Sequence, residues 1–296
     1  MPTLRRSCML VAAAACLLPL PVLAHPGSGI AVDQRGQIFF LDTGSGPWKV
    51  DTQGKPTRLS RTLFHWLALD EANRFSNTRL PTGDPEILRV GASPTLLIAS
   101  DYPIAIGEDG NLYLPSRSPR GLQIMRMVPS GQTSALATLP PTAKGPLEYI
   151  NGIAAAPDGS IYYTEDSVIR RITAQGAVST AATVTALADG PSVPGNDDHP
   201  YRRGLDVDAA GVMYVADSGD ARVLKIPPGK PATTLVQLER PWAPTAVALS
   251  GTDLYAIEFS HTASDNRIEW MPRIRKIGAD GKNSVILTVD QMPGAR

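Results

Sequence analysis

The chain has 296 residues, with 28 Lys and Arg against 28 Asp and Glu, and it carries 26 Gly, 27 Pro and two Cys. So much Gly and Pro without low-complexity bias suits many short strands joined by tight turns and argues against a helical protein. Balanced charge with no run of one sign argues against a nucleic-acid or anionic-membrane partner.

Residues 1–24 read as a cleaved signal peptide. Arg5 and Arg6 precede an apolar run from Met9 to Leu20, and Val22-Leu23-Ala24 ends in the small-residue pattern of a cleavage site. The run is broken by Pro19 and Pro21 and falls short of the ~20 residues that cross a bilayer. A lipoprotein alternative would use Cys16 behind Ala13-Ala14-Ala15. Cleavage near Ala24 removes both cysteines, Cys8 and Cys16, and leaves 26 basic against 28 acidic residues over 25–296. A disulfide framework, a thiolate metal site and a cysteine nucleophile are then excluded. The expectation is a periplasmic or secreted monomer with no transmembrane segment, forming one domain over 25–296.

A phrase recurs along that domain. It reads Gly29-Ile-Ala-Val-Asp33 with Gly36-Gln-Ile-Phe-Phe-Leu-Asp42, then Pro103-Ile-Ala-Ile with Asp109-Gly110-Asn-Leu-Tyr113. It returns as Gly152-Ile-Ala-Ala-Ala with Asp158-Gly159-Ser-Ile-Tyr162, and as Gly204-Leu-Asp-Val-Asp208 with Gly211-Val-Met-Tyr214. Thr245-Ala-Val-Ala-Leu with Leu254-Tyr255 is looser, and Trp66-Leu-Ala-Leu-Asp70 lacks the second half. Copies starting near 29, 66, 103, 152, 204 and 245 are spaced 37 to 52 residues apart. A period of that size with several strands per unit marks propeller blades.

Each unit supplies an apolar inner strand, a tight turn and a Tyr-bearing second strand. A third strand of alternating pattern comes next, such as Val168-Ile-Arg-Arg-Ile172, and then a fourth, such as Ser284-Val-Ile-Leu-Thr-Val289. Leu63 to Phe75 has some helical character, but its place in the repeat predicts a strand. The fold expected is all-β, a six-bladed β-propeller with four antiparallel strands per blade. Because the mature chain starts at an inner strand and ends at an outer one, no strand is left over to interlock first and last blades.

Alternating strand direction places the starts of the inner strands and the ends of the second strands on one face. The residues just before the inner strands, Ser28, His65, Tyr102, Asn151, Arg203 and Pro244, are expected to ring the mouth of the central channel. His199, in the connection 186–203, and His261, in the loop 258–269, fall on the same face, as does His25. Glu148, Asp197 and Asp198 lie in adjoining loops, with Trp66 and Trp242 nearby. A polar cluster in a concave mouth is a natural binding site. Arg203 suits bidentate capture of a carboxylate or phosphate, with an ion pair to Asp197 or Asp198 as the plainer reading. His65 is either a site residue or a partner for a loop carbonyl. Asn151 before Gly152 serves either a ligand or a turn. His65, His199 and His261 would form an open three-imidazole zinc site able to activate water. Asp42, Asp166 and Asp217 recur after strand two and are expected to brace that turn, and Tyr113, Tyr162, Tyr214 and Tyr255 are expected in the blade cores.

The run Gly204-Leu-Asp-Val-Asp to Ala221-Arg222-Val-Leu-Lys-Ile226 resembles an NHL repeat, and the whole domain resembles, more distantly, the gluconolactonase/senescence-marker-protein propellers. The resemblance implies a six-bladed propeller whose metal is held in part by an Asn before a Gly, which Asn151 matches. Ser28 and Arg203 stand where acidic ligands would help. The three-histidine zinc alternative resembles the site of propeller lyases that cut hydroxyglycine amides, with histidine ligands beside a Tyr and an Arg. That likeness would give those last parts to Tyr102 and Arg203. Two functions are therefore expected as alternatives. One is a binding or catalytic propeller for a small polar or anionic molecule, with Arg203, Glu148, Trp66 and Trp242 binding and Tyr102, His65 and Arg203 acting in catalysis. One divalent cation, zinc or calcium, would sit on Asn151, His65, His199 and His261. The other is a scaffold that binds a protein or polysaccharide through its loops, where Trp66 and Trp242 would stack on the partner.

Overall fold

A computed structural model describes residues 27–80, 86–90, 93–141, 150–165, 167–187, 202–260 and 272–289. The proposed signal peptide and His25, Glu148, Asp166, Asp197, Asp198, His199 and His261 lie outside these residues.

Blade one is β1 (Ile30–Val32), β2 (Ile38–Asp42), β3 (Gly46–Val50) and β4 (Pro56–Arg58). Blade two is β5 (Trp66–Asp70), β6 (Glu86–Arg89) and β7 (Leu96–Ser100). Blade three is β8 (Ala105–Ile106), β9 (Leu112–Ser118), β10 (Gly121–Met127) and β11 (Thr133–Thr138). Blade four is β12 (Ile150–Ala155), β13 (Ile161–Glu165), β14 (Val168–Ile172) and β15 (Val178–Thr183). Blade five is β16 (Arg202–Val207), β17 (Met213–Asp217), β18 (Arg222–Ile226) and β19 (Thr233–Gln237). Blade six is β20 (Trp242–Ser250), β21 (Asp253–Ser260), β22 (Pro272–Ile277) and β23 (Asn283–Thr288).

Five sheets are four-stranded antiparallel meanders, and the inner strands contact one another in the cyclic order β1, β5, β8, β12, β16, β20 and back to β1. The molecule is the expected all-β six-bladed propeller. The turn between first and second strands repeats in detail: Gly159 N donates to Ala156 O at 2.9 Å, and Gly211 N to Asp208 O at 2.9 Å. Both glycines have φ near +78° or +75°, a left-handed conformation that a side chain would strain.

Blade two departs from the other five. Its described strands pair in the order β5-β7-β6, so the chain leaves the inner strand, builds the third position and returns to the second. The cause lies in the segment after Asp70. The Asp70 carboxylate accepts Phe75 N at 2.7 Å and Arg74 Nε at 3.0 Å, folding 71–75 into a compact turn. Phe75 is fully buried against Leu96, Ile98, Leu112 and Met127, and Thr78 Oγ1 donates to Pro129 O. The segment is thereby anchored on blade three, and the second position is left for β7. This is why the copy at 66 lacks its second half.

The core divides into six apolar clusters, one between each pair of neighbouring blades. The cluster between blades six and one holds Phe40, Trp48, Ile257, Phe259 and Ile274. It packs blade six against blade one, and among the described residues the sheets of these two blades share no strand. Thr245 Oγ1 also donates to Gly27 O at 2.6 Å, tying the last inner strand to the start of the first.

Three of the repeated tyrosines lie opposite a cation on the third strand. Tyr162 pairs with Arg171, Tyr214 with Lys225 and Tyr255 with Lys276, and each cation lies 5.7–5.9 Å from its ring centroid. Tyr113 and Tyr162 are buried, while Tyr214 and Tyr255 pack against the core from partly exposed positions. An amphipathic ring with an apolar body and a polar edge suits that boundary.

Candidate functional site

The upper face, where inner strands begin and second strands end, is built by three local rules. First, the glycine opening an inner strand abuts the next blade. A Cβ on Gly152 would lie 2.5 Å from Arg203 O, and one on Gly204 would lie 2.6 Å from Ala246 Cβ. Second, hydroxyls at the ends of second strands tie to the next blade. Thr164 Oγ1 donates to Arg203 O at 2.9 Å, and Ser218 Oγ donates to Pro244 O. Third, β12, β16 and β20 shift register where they reach the mouth, between Ile150 and Gly152, Arg202 and Leu205, and Pro244 and Ala246. Such bulges re-aim side chains. They fall at Asn151, Arg203 and Thr245, so the mouth positions are set apart from the regular pleat.

Behind the rim, an acid at the end of the second strand meets an arginine of the third. Asp217 lies 2.8 Å from Arg222 Nε, whose Nη2 reaches Asp220 at 2.9 Å. Glu165 takes Arg170 at 2.9 Å, and Glu258 takes both Arg273 and Arg275 at 2.5 Å. Asp42 accepts Gly44 N at 3.1 Å and the Ser45 hydroxyl, and burial raises its carboxyl pKa despite those bonds. Asp42 and Asp217 therefore brace the turn as expected. In blade four the residue in the matching register is Glu165, beside Asp166, and in blade six it is Glu258.

Of the expected mouth residues, His65 directly precedes its inner strand, Ser28 and Tyr102 come two and three residues before theirs, Asn151 and Arg203 are the second residues of theirs, and Pro244 is the third of its own. Ser28 N donates to His65 O at 2.7 Å, which sets blades one and two side by side. His65 Nδ1 lies 2.8 Å from Asp101 Oδ1. One partner of the His65 ring is thus a carboxylate. The Trp66 indole lies in a tilted contact with the His65 ring, 5.8 Å between centroids, and its Nε1 donates to Asn151 O at 3.2 Å. That bond runs from blade two to blade four, past the two-residue inner strand of blade three. Tyr102 is exposed at the rim, whereas Arg203 is buried at 8% exposure. Trp242 has one ring face covered by the Arg273 guanidinium at 3.9 Å, so that face is closed to a stacking ligand.

Sequence reasoning missed Asp101. It comes after the second-position strand of blade two, one residue beyond the place that Asp42 and Asp217 hold in their blades. The β5-β7-β6 order hid the equivalence, because no second half of the repeat comes directly after Asp70.

Of the four expected metal ligands, His65 and Asn151 are described. His65 is oriented by Asp101, and the carbonyl of Asn151 is taken by Trp66. Among the described residues, no three His, Cys, Asp or Glu side chains gather as a metal-binding group. The described residues alone do not fit a divalent ion.

The closed ring of six sheets defines the chain as a six-bladed propeller. Residues 118–257 match the family described as the SMP-30/Gluconolactonase/LRE-like region, and over that stretch the propeller resembles gluconolactonase-like propellers. Among solved structures, it is similar to a luciferin-regenerating enzyme at 17% identity and a TM-score of 0.53, covering 84% of this chain and 90% of that one. Virginiamycin B lyase from Staphylococcus aureus matches at 14% identity and 0.50, over 88% and 83% of the two chains. The calcium-binding regucalcin from Agrobacterium tumefaciens matches at 14% and 0.50, over 78% and 81%. At such identities these likenesses concern the fold. Mouse teneurin-3 is 23% identical over 256 residues, 77% of this chain but only 9% of that protein.

Proposed function

We propose that this propeller binds a small polar, anionic molecule at its channel mouth and cleaves it by hydrolysis or elimination. The observation that carries the reading is Arg203. An arginine at 8% exposure sits at a bulge at the start of an inner strand, on the blade opposite His65 and Asp101. A guanidinium withdrawn from solvent holds a carboxylate more strongly than an exposed one, and its fork favours two parallel hydrogen bonds. Tyr102 and His65 are the groups for proton transfer, with the imidazole oriented through Nδ1 by Asp101. The family supports ring opening or bond cleavage as the reaction class. A divalent cation held by the expected set would use His199 and His261 together with Asn151 and His65.

The leader-like segment supports export, and among the described residues no helix is long and apolar enough to cross a membrane. The scaffold alternative calls for a continuous apolar patch on the rim. The large exposed hydrophobics among the described residues, Leu63, Tyr102, Leu187, Val285 and Ile286, lie on separate elements apart from the last two.

The test is a screen of lactones, esters and amides that carry a carboxylate, run on the protein with its metal content measured. Arg203→Ala and Arg203→Lys would be compared with the parent. Lys keeps the charge and loses the fork, so we expect both variants to weaken carboxylate binding at least tenfold, Ala more than Lys. Undiminished binding by folded Arg203→Ala would overturn the reading.

A further inference from the structure

Strand alternation gives the two faces of blade six different neighbours. Leu254, Ala256 and Ile277 pack in the apolar cluster shared with blade five. Glu258 pairs in register with Arg273, and Ala256 with Arg275, so these charged groups continue the same face toward the rim. Fully buried Glu258 takes two guanidinium groups, Arg273 Nε on Oε2 and Arg275 Nε on Oε1, both at 2.5 Å. Other blades balance charge differently: Glu165 takes Arg170, and Asp217 and Asp220 share Arg222. The three-membered group of blade six is therefore left with one positive charge in surplus. Arg170, Arg222 and Arg275 each also spend an Nη group on a neighbour, Thr180 Oγ1, Thr185 O and Asn283 Oδ1. Arg273 does not. Its two Nη groups have no partner among the described residues and are not sealed from solvent. The rest of the side chain is held in place: it is only 16% exposed, and its guanidinium carbon lies 3.9 Å from the Trp242 ring centroid. A guanidinium fixed at Nε by a carboxylate and on one face by an indole has already lost much of the freedom that binding would cost. Its outer pair of N–H groups matches a carboxylate.

We infer that Arg273, held by Glu258 and Trp242, is a carboxylate-binding site on blade six, separate from the channel mouth. Glu258 pairs with Pro244 on the inner strand and with Arg273 on the third strand. Arg273 therefore stands two strand spacings, roughly 10 Å, outward from the mouth position of its blade. The site goes beyond the reading of Arg203 and does not depend on it. Charge selects the ligand. One carboxylate balances the single surplus charge, whereas the second charge of a phosphate would face the Glu258 carboxylate with nothing to offset it. Arg273 is also not needed to neutralise Glu258, because Arg275 alone does for that acid what Arg170 does for Glu165.

The test is an NMR titration of the full chain that reads the indole N–H signal of Trp242, assigned by its loss in Trp242→Phe. Acetate is the probe, with inorganic phosphate and chloride at matched ionic strength as references. Acetate is expected to shift the Trp242 signal saturably and to leave that of Trp48, buried in blade one, in place. Arg273→Lys keeps the charge and the ion pair with Glu258 but loses the fork, and should weaken the affinity roughly fivefold or more. Arg273→Gln should remove the shift. No saturable shift, a shift that persists in folded Arg273→Gln, or undiminished affinity in Arg273→Lys would overturn the inference and leave the Arg203 reading intact. Phosphate or chloride binding as tightly as acetate would overturn the assignment to a carboxylate.

Discussion

Replacing Gly204 tests whether the repeated glycine is a steric requirement of the ring axis. A Cβ there would stand 2.6 Å from Ala246 Cβ, 2.7 Å from Ala246 Cα and 3.2 Å from Thr245 O. Carbon atoms in contact prefer about 3.5–4.0 Å, so blades five and six would have to part by about 1 Å where the inner strands meet. Two of the three obstructing atoms are backbone, and Thr245 is held by its bond to Gly27 O, so the strand cannot yield at little cost. Overpacking of this kind costs about 1–3 kcal/mol and occasionally more. We expect Gly204→Ala to lose about 2–3 kcal/mol, or roughly 5–10 °C in melting temperature for a domain of this size. Gly204→Val adds two further methyls and is expected to prevent stable folding. Gly229→Ala is the control: nothing lies within 4 Å of the added Cβ, and its φ of +66° carries only the left-handed penalty of about 1 kcal/mol. Thermal melts by circular dichroism decide the matter. Gly204→Ala melting within about 2 °C of the parent, or above Gly229→Ala, would refute the reasoning.

Three further outcomes are expected. Arg222→Ala removes the salt bridge to Asp217, which is fully buried, and should cost about 3–5 kcal/mol; a chemical-denaturation midpoint that does not move would contradict this. Thr245→Val removes the hydroxyl bonded to Gly27 O and should cost about 1–2 kcal/mol, with hydrogen exchange rising at the junction of blades one and six; uniform protection there would argue that packing alone closes the ring. Asp206 has its carboxyl pushed up to about 6, chiefly by burial and partly offset by bonds from Leu249 N and Val207 N. Because the folded form holds this proton more tightly than the unfolded chain, its contribution is full below the unfolded pKa of 3.8 and is lost as pH rises through about 6. The stability of Asp206→Asn relative to the parent should therefore improve by about 1–2 kcal/mol from pH 4.5 to 7.5, and a flat difference would refute the shift.

The repeat carried most of the fold in plain view. Six copies of one phrase fixed blade number, strand type and the glycine turns, because every blade solves the same packing problem with the same local chemistry. Strand alternation alone nominated Ser28, His65, Tyr102, Asn151, Arg203 and Pro244 for the mouth. What a side chain meets at those positions it did not reveal. Only the folded ring pairs His65 with Asp101, 36 residues away, lays Arg273 over Trp242, and sends the Trp66 indole to a carbonyl on blade four. Blade two shows the limit most clearly. Its strand order is decided by Phe75 finding a buried place on blade three, an interaction between units, whereas a periodic pattern records only what each unit needs for itself.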